Sequence, residues 1–407
     1  MEERREKQPD EYVRLLLGWA ASGHQKLPCL IFDNTDQFPA EIQDMVYQLA
    51  HSYESAAPVF NIVPITDRTV WRMSKAGALQ SYSAHSFYLP VPDAKEIISR
   101  RVEFLKGKVK AEPAAAQSYF SKRGFQVEVN DLAILAEAVG KVFVDNDYVS
   151  GFIGRLGNFD IRRMLKIAER IFLSPELKID DIIKSKFGGE DITADRFRTH
   201  RALIKGEYDR FSERENEYIS NLFQTNAQRP GPPLLGYYIL WILRQKLNSA
   251  RNDQDDNVEN RHWLAADLCQ LFEGCGVAED FVMSSLNRLY DMRLIEALDP
   301  NSKHLSIADK VAIKDSGLAH LELILTSTVY VEQMALVTGL NELFARDEIR
   351  KNQQRGQFQE VREAFLRYIL KIDAGRLTVP SNQLYAQIGK GRAQIEVLAS
   401  QRRSINR

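Results

Sequence analysis

The rhythm of hydrophobic and polar positions changes along the chain. Near the start, residues 11–22 (EYVRLLLGWAAS) and about 40–53 carry apolar side chains at helical spacing, and two unbroken apolar runs, 28–32 and 59–65, alternate with them. Short β-favouring runs separated by helices are what a parallel sheet buried on both faces requires, so residues 1–92 are expected to be α/β. From 93 onward the spacing is that of amphipathic helices: DAKEIISRRVEFLKGKV, DLAILAEAVGKVF and FDIRRMLKIAERIFL. Residues 191–223 read as further helix, broken by the linker QRPGPP at 228–233.

Beyond that linker, LLGYYILWILRQKL is strongly apolar and helical, and the polar stretch 249–261 reads as an exposed connection. Two more amphipathic helices follow, HWLAADLCQLFEG and AEDFVMSSLNRLYDMRLIEAL, joined at Gly274-Cys275-Gly276. Turn and strand material then occupies 299–317. The expected class is mixed and mostly α. Its pieces are a partial parallel α/β sheet at 1–92, a helical region at 93–190, a helical connector and linker at 191–233, a helix-turn-helix with a β-hairpin at 234–330, and a helical segment at 331–407.

Composition changes the picture little. The 407 residues are 44% hydrophobic and 27% charged with net charge −1, which fits a globular chain of several domains and excludes a global basic field. Three cysteines, Cys29, Cys269 and Cys275, make no disulfide framework and suggest a reducing compartment. With no apolar run long enough to cross a bilayer, the sequence reads as cytoplasmic and free of membrane. His262, Cys269 and Cys275 match no zinc spacing.

The chemistry is concentrated at three points. Leu30-Ile31-Phe32-Asp33 puts a carboxylate after an apolar run, at the carboxyl edge of the expected sheet, where open α/β folds bind ligands. The second run ends in Thr66-Asp67-Arg68, and the helical region contains Gly157-Asn158-Phe159-Asp160-Ile161-Arg162-Arg163. In that order these features resemble the Walker B strand, first sensor and lid of AAA+ ATPases of the initiator and origin-recognition type, and of the related STAND group. The resemblance spans roughly residues 12–190. It implies ATP and Mg²⁺ as cofactors, Asp33 as the metal-binding carboxylate, Thr66 as first sensor with Asn61 as the weaker choice, and Arg162 as the lid arginine.

A planar, permanently charged guanidinium suits phosphoryl oxygens, which gives the Arg162 assignment a physical basis. Two departures qualify the picture. Asn34 stands where that class carries a general-base Glu, and an amide cannot take a proton; Asp36 is the substitute. No G-x-x-x-x-G-K-[ST] loop exists anywhere in the chain, and only 32 residues precede Asp33. Nucleotide binding therefore requires a phosphate loop from missing sequence or a partner, and a homo-oligomer or a second chain completing the core is expected.

Residues 234–330 resemble the winged-helix domains that follow the lid in initiator-type proteins. Within 279–293 the residues suited to a major groove are Ser284, Ser285, Asn287 and Arg288, although the acids Glu279, Asp280 and Asp291 outnumber Arg288 and Arg293. Residues 346–407 hold thirteen Lys and Arg against six Asp and Glu, a surplus able to hold double-stranded DNA through Arg402 and Arg403. The functional expectation is part of an ATP-driven switch or remodelling protein acting with a winged helix, on DNA or on protein. The alternatives are a non-catalytic scaffold with a vestigial core and a winged-helix DNA-binding regulator.

Overall fold

The structure, a computed structural model, describes residues 8–35, 38–65, 87, 90, 92–111, 129–178, 195–223, 225, 231–252, 258–299 and 302–400. The described chain is mostly helical, with one two-stranded and one three-stranded sheet. It divides into two compact units, Met1–Leu89 with Asp299–Asn301, and Pro90–Leu298 with Ser302–Arg407. No helix among the described residues is long and apolar enough to cross a membrane.

The first unit holds α1 (Pro9–Gly18), β1 (Cys29–Ile31), α2 (Ala40–Glu54) and β2 (Phe60–Ile62). Proline in the first turn of α1, with Asp10 and Glu11, suits the unsatisfied N–H groups and positive dipole there. The strands pair in parallel, as the alternation of runs and helices predicts, with Cys29 opposite Phe60 and Ile31 opposite Ile62. Helices α1 and α2 are tied by Arg14, whose guanidinium reaches the Ser52 carbonyl at 2.9 Å and hydroxyl at 2.8 Å and lies over the Tyr53 ring. Leu17, Tyr53 and Ala57 form a small core with Val13, Leu30, Phe32 and Val59.

Burial on both faces does not hold. Side chains alternate along each strand, and the outward set Ile31, Phe60 and Ile62 is 63%, 53% and 40% exposed. Each strand is also three residues long, shorter than its apolar run, with the bonds of Phe60 N–H to the Pro28 carbonyl and Phe32 N–H to the Ile62 carbonyl flanking the pair.

The second unit opens with α3 (Ala94–Ala111), α4 (Val129–Phe143), α5 (Asp147–Leu156), α6 (Ile161–Leu173) and α7 (Arg196–Lys205). Side-chain caps explain where three of these begin: Asn146, Asp160 and Asp195 accept from the N–H groups of Val149, Arg163 and Arg198. On α6, Met164, Ile167, Ala168 and Ile171 form the buried stripe that its three- and four-residue spacing predicts.

Residues 206–223 depart from the helical expectation, while Arg196–Lys205 meets it. Helix α7 stops at Gly206, whose φ of 61° and close approach to the Arg170 guanidinium leave no room for a Cβ. Residues 207–223 then run without regular structure, yet Phe211, Tyr218, Ile219, Leu222 and Phe223 are buried. Side chains satisfy the backbone here in place of a ladder. Asn216 donates to the carbonyls of Leu203 and Ile204 and accepts from Tyr218 and Ile219 N–H, and Gln333 accepts from Phe211 N–H. The linker expectation changes too, since Pro232 and Pro233 are buried and the Gly231 carbonyl accepts from Arg376.

Next come α8 (Leu235–Asn252), β3 (Trp263–Leu264), α9 (Ala265–Glu273), α10 (Glu279–Asp291), β4 (Ile295–Ala297) and β5 (Lys310–Ile313). The strands form an antiparallel sheet in the order β3-β5-β4. Gly276, at φ 83°, makes the expected turn between α9 and α10. The chain ends in α11 (Asp315–Thr326), α12 (Thr328–Val337), α13 (Leu343–Gln354), α14 (Phe358–Ala374) and α15 (Ala386–Ser400). The boundary expected at 330 falls inside α12, and one continuous core runs from Ala94 to Ile395.

Helix α15 is fastened to α8 by a buried charge network. Asp373, fully buried, accepts from Tyr238 OH and Arg392 at 2.8 Å each and from the Leu234 N–H. Removing one partner of such a pair leaves an uncompensated charge, so Asp373→Ala is expected to cost about 3–5 kcal/mol in chemical denaturation.

Two histidines are held neutral. In His320, Nδ1–H donates to the Ser316 carbonyl and Nε2 accepts from Ser220 N–H, and burial pushes its pKa from 6.5 down to about 4. His200, beside the Tyr148 hydroxyl, is likewise pushed down to about 4 by burial, with Arg196 adding to the effect. The unfolded chain therefore binds more protons between pH 6.5 and 4, so stability is full above that window and falls as pH drops through it. His320 alone accounts for about 3 kcal/mol of this loss. Urea titrations at stepped pH are expected to show it, and a His320→Gln variant to show a shallower decline.

Candidate functional site

The first nominated residue stands where the sequence predicts. Asp33 is exposed just past the carboxyl end of β1, with Phe32 N–H still bonded across to the Ile62 carbonyl. The strand does not continue. Asp33 Oδ1 accepts from Asn34 N–H at 2.9 Å, Asn34 takes a left-handed φ of 61°, and Thr35 bonds back to the Phe32 carbonyl. This turn leaves the carboxylate at the strand mouth. Asn61 is committed elsewhere: its amide donates to the Ala50 carbonyl at 2.7 Å and to Glu54 at 3.0 Å, fixing β2 to α2. Asp36 and Thr66 lie outside the described residues.

The glycine-led motif at 157–163 is a turn between α5 and α6. Gly157 leaves room for Met164, whose Cγ would lie 3.0 Å from any Cβ there. Asn158 and Phe159 adopt left-handed φ values of 51° and 55°, and Asp160 caps α6. The two arginines that follow have different surroundings. Arg163 is half-buried with its guanidinium 5.2 Å from the Tyr218 ring centre. Arg162 is exposed in the first turn of α6 and makes no hydrogen bond or ion pair among the described residues. Nearby, Glu217 is held below the usual carboxylate range, first by the Tyr218 hydroxyl and then by Arg163, Lys166 and Arg293.

The nominated nucleic-acid residues of α10 separate clearly. Ser284 is exposed and Ser285 is buried. Asn287 is buried, donating to the Met283 and Leu305 carbonyls and accepting from Leu305 N–H at 2.7 Å, so it pins the hairpin to the helix. Arg288 donates to the Asn221 carbonyl at 2.8 Å and sits 4.0 Å from Glu213; burial lowers its pKa and Glu213 opposes the shift. The exposed side of α10 carries Glu279, Asp280, Ser284 and Asp291, which is acidic.

The basic surplus toward the C-terminus is partly engaged internally. Arg392 pairs with Asp373, Arg346 donates to the Leu340 carbonyl, and Lys371 and Arg367 pair with Glu342 and Glu348. Arg402 and Arg403 lie outside the described residues.

Asp33 and Arg162 belong to different compact units, and among the described residues neither is accompanied by a phosphate cradle. A depression of about 510 Å³ is lined by Asp93, Lys95, Glu96, Arg100 and Glu103, and its three carboxylates suit no anion. No group of three or more His, Cys, Asp or Glu side chains able to hold a metal occurs among the described residues. Sequence reasoning missed the junction of Asn158, Arg293 and Ser316, where Asn158 bonds to both of the others. An Asn directly after Gly157 was its one visible signal, since Asn tolerates left-handed backbone.

Comparison with known protein families, curated proteins and solved structures found no match to this chain.

The α10 assignments are testable by stability alone. Asn287→Ala, which leaves the buried Leu305 N–H without an acceptor, is expected to cost about 1–3 kcal/mol. Ser284→Ala and Arg162→Ala are each expected to fall within about 0.5 kcal/mol of the parent in the same denaturation assay.

Proposed function

We propose that this chain is part of an AAA+/STAND-like ATP-binding switch, with a winged-helix body that docks protein. The observation that carries the reading is Asp33, an exposed carboxylate immediately after the carboxyl end of a parallel strand pair. Two further observations support it. Arg162 stands exposed without a partner among the described residues at the start of a capped helix, later in the chain. Residues 235–313 run helix, strand, helix, helix, hairpin, with strand order β3-β5-β4, the arrangement expected of a winged helix.

In this reading Asp33 would hold Mg²⁺, and the resemblance assigns Arg162, in the second unit, the part of a phosphate-recognising arginine. ATP and Mg²⁺, when bound, would supply the phosphoryl group and its charge. Asn34 cannot serve as base, so Asp36 takes that part. The phosphate loop comes from polypeptide other than these 407 residues. Protein is favoured over duplex DNA as the winged-helix partner because the outward side of α10 is acidic while Asn287 and Arg288 hold the fold together.

The second reading, a non-catalytic scaffold, is favoured by one specific observation, the absence of any phosphate-loop motif from the sequence. A titration with fluorescent ATP and Mg²⁺ separates the two, using protein expressed with whatever open reading frame continues upstream of Met1. The switch requires Mg²⁺-dependent binding that Asp33→Ala weakens at least tenfold, or about 1.4 kcal/mol. No binding at millimolar nucleotide leaves the scaffold.

A further inference from the structure

Helix α11 begins without a cap of its own. Its N-cap residue is Lys314, whose side chain accepts nothing, so the first N–H groups of the helix need acceptors from elsewhere. One comes from far away in sequence. Asn158, in the turn between α5 and α6, accepts from Ser316 N–H at 2.9 Å through Oδ1. Ser316 is the second residue of α11, the position whose N–H an N-cap side chain normally satisfies. The other end of the same amide donates to the Arg293 carbonyl at 3.2 Å, and Ser316 Oγ donates to that carbonyl at 2.6 Å. One carboxamide thus joins three places: the α5–α6 turn, the start of β4 and the start of α11.

The junction is tight and conformationally costly on both sides. Asn158, Phe159 and Arg293 all have left-handed φ, each disfavoured by roughly 1 kcal/mol or more for a residue with a Cβ. A Cβ at Gly317 would come within 2.3 Å of the Leu294 carbonyl, so α11 can approach β4 this closely only with glycine there. A few residues on, Arg155 of α5 and Glu322 of α11 pair at 2.7 Å, a second tie between the same two helices.

We infer that Asn158 caps α11 in trans and makes the turn that presents Arg162 move as one part with the helix–hairpin body. Displacing the start of α6 then strains the first turn of α11, two residues beyond the end of β5, rather than being absorbed at a hinge between them. The coupling follows from hydrogen-bond accounting and holds whether or not Arg162 meets a nucleotide. Asn158 is a positioning residue.

Hydrogen exchange read by mass spectrometry, in peptides covering residues 157–173 and 315–326 of the full chain, tests it. Asn158→Gly keeps the left-handed turn without strain and removes both bonds, so exchange in the first turn of α11 should rise about tenfold. Asn158→Asp keeps the acceptor for Ser316 N–H and should retain parental protection there. Lys314→Ser in the Asn158→Gly background supplies a local cap and should restore α11 protection. Asp160→Ala, which removes the cap of α6, should raise exchange at 315–318 as well as 161–164, and should lose its effect on 315–318 once Asn158 is glycine. Unchanged protection of α11 in Asn158→Gly overturns the inference. So does a response to Asp160→Ala confined to α6. Should Asn158→Gly unfold the whole chain, Asn158→Asp decides alone: protection kept at 315–318 supports the trans cap, and protection lost there refutes it.

Discussion

The second unit depends on satisfying the backbone of a buried segment that forms neither helix nor strand. Residues 207–223 carry five large buried side chains, which draw their polar backbone away from water. Every N–H or C=O taken inside must find a partner, and the partners come from several helices. Asn216 closes the end of α7, His320 of α11 takes Ser220 N–H, Tyr330 of α12 donates to the Ser220 carbonyl, and Arg288 of α10 donates to the Asn221 carbonyl. Because His320, Tyr330 and Arg288 lie on three different helices, losing any one leaves a polar group of the segment without its partner. That shared accounting explains why the pieces expected at 93–190, 191–233, 234–330 and 331–407 pack around one core.

The same constraint reassigns residues that look functional in the sequence. Asn287 and Arg288 have the chemistry of groove readers, yet both are committed to carbonyls and N–H groups that arrive from other segments. Freeing either one to meet a base would leave a buried polar group unpaired, at a cost comparable to what a good base contact returns. What remains outward on α10 is mainly carboxylate, which phosphate repels. The two arginines of α6 divide the opposite way: Arg163 lies over Tyr218, and Arg162 faces solvent.

Much of the helical architecture was legible, because period 3.6 is written locally: the buried stripe of α6 and the glycine turn before α10 stand where the pattern puts them. The parallel pairing of β1 and β2 was legible for the same reason. Residues 206–223 were not, since their apolar content mimics a helix and only Gly206 and the bonds that tie Asn216 back to the Leu203 and Ile204 carbonyls mark the departure. The end of the helical region was also obscure, because apolar prolines at 232–233 read as a linker when they are in fact packed. Of the site, the position of Asp33 at a strand end could be read from the run before it. The employment of Asn61, Asn287 and Arg288 could not, because each partner is set by tertiary packing across 7 to 67 residues.

The first unit sets its candidate carboxylate on a small parallel pair of strands. Among the described residues its sheet is two three-residue strands, and the buried side chains against it are Leu17, Tyr53 and Ala57. Ile31, Phe60 and Ile62 face outward in register, each forgoing roughly 1–2 kcal/mol that burial would contribute. Asp33 stands at the carboxyl edge of that pair, where parallel sheets present loops to ligands. The exposed carboxylate and the exposed apolar side chains therefore belong to the same small parallel pair, so a substitution that loosens the pairing of β1 with β2 would displace Asp33 as well.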